Sequence, residues 1–111
     1  MVNVSAIMER LGADTALLQE LFEIFLLEYP RLLSEMESSL QQQDFKQARR
    51  LAHSIKGMCL DLGDDATAHL AFELEKTYGD EQRAPQEAVK TLAQKLDNLG
   101  GDLRHWLASQ E

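Results

Sequence analysis

The chain has 111 residues, enough for one domain whose core needs neither disulfides nor a metal. Eleven Lys and Arg stand against 19 Asp and Glu, a net charge of −8 that argues against nucleic acid or an anionic membrane as the main partner. The single cysteine, Cys59, cannot close an internal disulfide, no apolar run reaches about 18 residues, and the start lacks the basic-then-apolar layout of a secretory leader, so a cytoplasmic protein is expected.

Apolar residues recur at three- and four-residue steps almost throughout, a helical period with no competing alternation. A short first helix is expected from Val4 to Leu11, with Gly12 as its left-handed stop. Asp14 caps a long second helix, about Thr15 to Gln42, whose inward positions are Leu18, Leu21, Phe25, Tyr29, Leu32, Met36 and Leu40. Pro30 removes a backbone donor inside it, so a kink or break is expected there. Leu17, Ile24 and Leu27 form a second apolar strip, assigned to contact with the first helix.

Asp44 caps a third helix, about Phe45 to Leu62, ended by Gly63. Asp64 or Asp65 caps a fourth, Ala66 to Tyr78, with Leu70, Leu74 and Tyr78 inward. After a polar loop, Gly79 to Ala84, Pro85 suits the first turn of a last helix patterned by Val89, Leu92, Leu96, Leu99, Leu103 and Trp106. Gly100-Gly101 is expected to fray or bend it. These elements describe one all-α domain over residues 1–111, an antiparallel four-helix bundle with the short first helix as a lid.

The chemistry concentrates on the third helix. At about 100° per residue, Ala48, Leu51, Ala52, Ile55, Met58, Cys59 and Leu62 centre on the side opposite His53, which therefore points away from the core. Lys46, Arg49, Arg50, Lys56, Gly57 and Leu60 lie within about 60° of His53. Four of 11 basic residues thus surround one histidine in an acidic chain. A solvated basic face is a common feature by itself. Gly57 is not, because a glycine inside a helix is destabilising and needs a reason; one turn past His53 on the same face, it leaves room for a partner's backbone.

A neutral imidazole is a competent nucleophile near pH 7, and Lys56 can set an ammonium beside a transferring phosphoryl group. The chain carries no phosphate-cradling Gly-rich loop and no acidic metal cluster near His53. No cofactor is expected, and the other half of the chemistry must come from a partner. His53 and Cys59 differ by about 120° in phase, so they cannot share a metal.

Ala52-His53-Ser54-Ile55-Lys56-Gly57, followed by Gly63 and by Leu74-Glu75, resembles the signature of the histidine-containing phosphotransfer (HPt) domain family. Met58 and Cys59 replace the small residues often found there, and Thr67 stands where a second apolar residue is common. The resemblance implies that His53 is the phosphoacceptor, Lys56 its electrostatic helper and Gly57 the docking clearance. It further implies a phosphocarrier without kinase activity, monomeric, passing a phosphoryl group between aspartates of the receiver domains of response regulators and hybrid sensor histidine kinases. Lys46, Arg49, Arg50 and Leu60 then become partner-binding residues.

Two other readings differ in class. The dimerisation domain of a histidine kinase places an acidic residue after its histidine, whereas Ser54 follows His53 here. A non-phosphorylated adaptor that binds receiver domains is separated from a carrier only by replacing His53. His69 and His105 lack a Lys-Gly pair at the following turn and are read as surface residues. Phe72 falls off the inward stripe of its helix, either packing at an edge or joining a docking patch.

Overall fold

The computed structural model describes residues 2–111 and, among them, five helices and no strand: α1 Val4–Leu11, α2 Thr15–Gln41, α3 Phe45–Asp61, α4 Asp65–Gly79 and α5 Gln86–Ser109. Helix starts follow from side chains that satisfy backbone N–H groups left without a partner in the first turn. Asp14 accepts from the Leu17 amide at 2.8 Å, Asp44 from that of Gln47 at 3.1 Å, and Asp64 from that of Thr67 at 3.1 Å. Asp64, not Asp65, is the cap of α4, and its other carboxylate oxygen accepts from the Thr67 hydroxyl at 2.6 Å. Thr67 is thereby buried at an otherwise apolar position with its polar group satisfied. Gly12 and Gly63 close α1 and the α3–α4 turn at φ of 63° and 74°, backbone that a β-carbon disfavours.

The helices form an all-α bundle in which α2 packs on α3, α3 on α4, α4 on α5, and α5 back on α2. The core runs the length of the bundle through Leu18, Phe22, Met36, Ile55, Leu92 and Leu96, all fully buried. Phe22 is the inward residue that the three-and-four step passes over; Leu21 and Leu40 are only half-buried, as are Leu70 on α4 and Met58 on α3. Phe22 meets Trp106 of α5 edge to face at 5.2 Å between ring centroids, an arrangement aromatic quadrupoles favour. Phe22 is thus the fully buried residue of that turn, with Leu21 packed at the edge of the core.

Three expectations are revised by the structure. Of the kink or break expected at Pro30, the break does not occur: α2 runs on through the residue, which lies on the solvent side, where the carbonyl it leaves unbonded can be hydrated. The α5 helix likewise passes through Gly100-Gly101 without fraying. Gly100 is there for packing: a β-carbon at that position would lie 3.0 Å from the Tyr29 hydroxyl oxygen and 3.2 Å from the ring. Tyr29 cannot easily withdraw, since it donates to Asp97 at 3.0 Å, accepts from Arg104 at 3.3 Å and stacks on Phe25.

The third correction concerns the lid. Leu17, Ile24 and Leu27 are each more than half exposed, so α1 does not cover them. Instead α1 buries Ile7 and lies across a cleft of about 550 Å³ whose other walls include Leu62, Gly63, Thr67, Lys95 and Leu99. Arg10 fixes it there by donating to the carbonyls of Leu60, at 2.7 Å, and Asp61, the last residues of α3. Carbonyls at a helix C-terminus lack intrahelical partners and attract a guanidinium. An eight-residue helix held at that end of the bundle cannot also run along α2.

The two adjacent glycines of α5 should respond to alanine in opposite directions. Gly100→Ala presses on a pinned, buried tyrosine and is expected to destabilise the fold by about 1–3 kcal/mol. At Gly101 a β-carbon meets open space, so Gly101→Ala is expected to stabilise by up to about 1 kcal/mol through helix propensity. Urea unfolding of both variants checks the pair; equal shifts would show that Tyr29 does not enforce the glycine.

Candidate functional site

α3 presents one flank to α4 and its back to the core. Ala48, Ala52 and Cys59 are buried along the flank that also carries Lys56. Ala68 and Ala71 are buried on α4, where Glu75 lies one turn beyond Ala71. With small side chains between them the two helices approach closely, and their interface is the most extensive in the bundle. Polar side chains along its rim can therefore meet across it.

His53 stands on that rim. Its side chain is 65 % exposed, while those of Lys56 and Glu75 are 21 % and 12 % exposed. His53 Nδ1 is 2.6 Å from Glu75 Oε1, and Lys56 Nζ donates to Glu75 Oε2 at 3.1 Å. One carboxylate thus holds an imidazole with one oxygen and an ammonium with the other. Burial pushes the Glu75 carboxyl up, but the hydrogen bonds from His53 and Lys56, together with their charges, outweigh it and leave the group below its ordinary range. An ionised carboxylate only accepts, so Nδ1 carries a proton toward Glu75, and in the neutral imidazole Nε2 is the nitrogen with the free lone pair.

The other residues singled out by sequence lie around this triad. Lys46, Arg50 and Leu60 are exposed on the same face of α3. Arg49 lies over the end of α4, where a β-carbon on Gly79 would contact its side chain at 3.6 Å. Gly57 has nothing within 4 Å of the place its β-carbon would occupy. Lys56 also sits over the ring of Phe72, 5.0 Å from its centroid, and Lys76 lies 4.9 Å from the same ring. The cleft beneath α1 includes none of His53, Lys56 or Glu75.

The residue that sequence reasoning does not bring into the site is Glu75. It appears there only as half of the Leu74-Glu75 signature pair, on another helix and 22 residues from His53. The available signal was that pair itself: Leu74 is buried, so the residue after it falls at the edge of the interface. Cys59 is not a second nucleophile, since burial, with the charge of Asp64 adding, pushes its thiol up to about 12. Among the described residues no three His, Cys, Asp or Glu side chains gather as a metal would require. His69 is an exposed surface residue 3.5 Å from Glu73. Among the described residues no helix is long and apolar enough to cross a membrane.

An all-α bundle whose surface carries a histidine oriented by a largely buried carboxylate and flanked by an ammonium has the build of a group carrier rather than of an enclosed catalytic pocket. Comparison with protein-family models agrees: the one described as Hpt domain matches residues 20–105, well over half of the chain. The chain belongs to the Hpt domain family. Its general involvement is accordingly in phosphorelay histidine phosphotransfer, and domains of this family are phosphocarriers rather than catalysts. No curated protein and no solved structure matches the chain.

The depressed Glu75 carboxyl has a consequence for stability. A carboxyl whose folded pKa lies below its ordinary value of 4.5 contributes stability that is fully present above that value and lost as pH falls through the lower folded one. The stability difference between the parent and Glu75→Gln should therefore be fully present above pH 4.5 and shrink as pH falls below it. Urea midpoints across that window test this; a difference that does not change with pH would mean the carboxylate is not held by His53 and Lys56.

Proposed function

We propose that the protein carries a phosphoryl group on His53 Nε2, taking it from the aspartyl phosphate of one receiver domain and giving it to the aspartate of another. The observation that carries this reading is the 2.6 Å contact between Nδ1 and Glu75, made by an imidazole whose side chain is 65 % exposed. It fixes the tautomer, aims the ring outward and leaves Nε2 open to a partner.

In the transfer, the Nε2 lone pair attacks phosphorus as the bond to the aspartate oxygen breaks, and that bonding pair leaves with the carboxylate. A nitrogen–phosphorus bond forms while the proton stays on Nδ1. The ring then carries positive charge, which Glu75 balances from 2.6 Å away. Lys56, one turn along α3, supplies positive charge to the phosphoryl oxygens where charge is redistributed in the transition state. Onward transfer is the same sequence reversed, and the cationic ring is a good leaving group.

Lys46, Arg49 and Arg50 serve association. They offset a net charge of −8 locally and guide an acidic receiver surface to this face, an effect screened over about 8 Å at physiological ionic strength. Gly57 and Leu60 lie under the approaching partner. Receiver domains of response regulators and of hybrid sensor histidine kinases are the partners of this reading. The chain needs no cofactor, acts as a monomer in the cytoplasm, and has no kinase activity of its own.

His53→Gln is expected to abolish labelling by a phosphorylated receiver domain while leaving helicity intact. In the parent the label should survive base and be lost in acid, as a phosphoramidate is and a serine ester is not. A parent protein that binds the phosphorylated receiver without becoming labelled would favour the adaptor reading, and labelling of His53→Gln would move the acceptor elsewhere.

Gly57→Gln isolates docking from folding. The site has open space for a side chain, so the free protein should gain up to about 1 kcal/mol of stability from helix propensity. Transfer should nevertheless slow, because the added side chain stands where the partner approaches. Unchanged transfer rates would show that the receiver does not pass over this turn.

A further inference from the structure

We infer that Phe72 is a positioning residue for phosphoryl transfer, its exposed ring holding the Lys56 ammonium beside His53 without neutralising it. The inference rests on the reading of His53 as phosphoacceptor. Phe72 is 39 % exposed and belongs to none of the positions through which α4 fills the core, namely Thr67, Ala68, Ala71, Leu74 and Tyr78. The packing of the bundle therefore does not require a large ring at this place.

What the ring does contact is charge. The Lys56 ammonium lies 5.0 Å from its centroid, within the range over which an aromatic face attracts a cation. Lys56 leaves α3 and is bracketed from α4 by two residues three apart, the Glu75 carboxylate at 3.1 Å and the Phe72 ring. Lys76 reaches the same ring at 4.9 Å but is half exposed and has its own carboxylate, Glu73, at 3.0 Å. Of the two, Lys56 is the sequestered one.

The two holds on Lys56 differ in what happens when a phosphoryl group arrives. Glu75 competes with it, since a carboxylate and a phosphoryl group both claim the same ammonium. The ring does not compete: it carries no net charge, and it attracts the ammonium through its face alone. Lys56 can thus exchange Glu75 for the phosphoryl oxygens while Phe72 still limits where the side chain travels. Without the ring, a flexible four-carbon stem has to find that position anew at each transfer.

Labelling by phosphoramidate, a small donor whose loss of ammonia drives phosphorylation without a docked protein, separates this effect from partner binding. Phe72→Leu is expected to lower the labelling rate of the full chain at saturating phosphoramidate by about two- to fivefold, the size of one exposed cation–π contact. Phe72→Trp should restore it. In the parent the ε-methylene protons of Lys56 should be shifted upfield by the ring current, and Phe72→Leu should remove that shift with little change in the urea midpoint. In a Lys56→Ala background Phe72→Leu should have no further effect, because the two act as a unit. Parent-like labelling of Phe72→Leu, or an equal loss with and without Lys56, overturns the inference while leaving His53 as acceptor. Labelling of His53→Gln by phosphoramidate removes the acceptor reading, and the inference with it.

Discussion

The close approach of α3 and α4 is the constraint on which the rest of the molecule depends. It is made possible by small side chains: Ala48, Ala52 and Cys59 on one helix, Ala68 and Ala71 on the other, all buried. A larger residue at any of these positions would push the helices apart, and overpacking typically costs about 1–3 kcal/mol in a filled core. Stability is the lesser part of that loss. Glu75 reaches His53 and Lys56 only because the helix that carries it lies within one side chain of theirs, so interface packing sets the geometry of the chemistry.

The electrostatics follow from the same closeness. Glu75 is 12 % exposed yet ionised, because an imidazole and an ammonium both donate to it. Removing one donor would leave a largely buried carboxylate with half its partners. The arrangement also explains how an acidic chain can present a basic face. Its negative charge is spread over the surface, whereas Lys46, Arg49, Arg50 and Lys56 share one side of one helix. The Glu75 carboxylate beside Lys56 is engaged inside the triad rather than facing a partner.

Much of the fold was legible in the sequence because its signals are local. Asp14, Asp44 and Asp64 are capping residues by chemistry, and each caps its helix. The phase of His53 against the apolar stripe of α3 needs only the helical repeat. What was not legible depends on contacts distant along the chain. Gly100 reads as a weak point until Tyr29, 71 positions earlier, is seen to occupy its space. Pro30 reads as a break until its solvent-facing side is known. Leu17, Ile24 and Leu27 read as the seat of the first helix because an apolar strip asks for a cover; Arg10 holds that helix elsewhere. Glu75 was missed for the same reason, since no spacing rule within one helix links residues on two.

The open turn at Gly57, beside His53, has a consequence for traffic. In the proposed carrier role, a single acceptor histidine on one face would admit one protein at a time, so donor and acceptor would visit in succession and compete for the same ground. A carrier of that kind would work as a ping-pong shuttle, with the direction of flow not inscribed in its own surface. Direction comes from the relative abundance of charged and discharged partners and from how long each remains bound. A change that tightens one partner on this face would therefore slow the other, and the chain would move less cargo while binding more strongly.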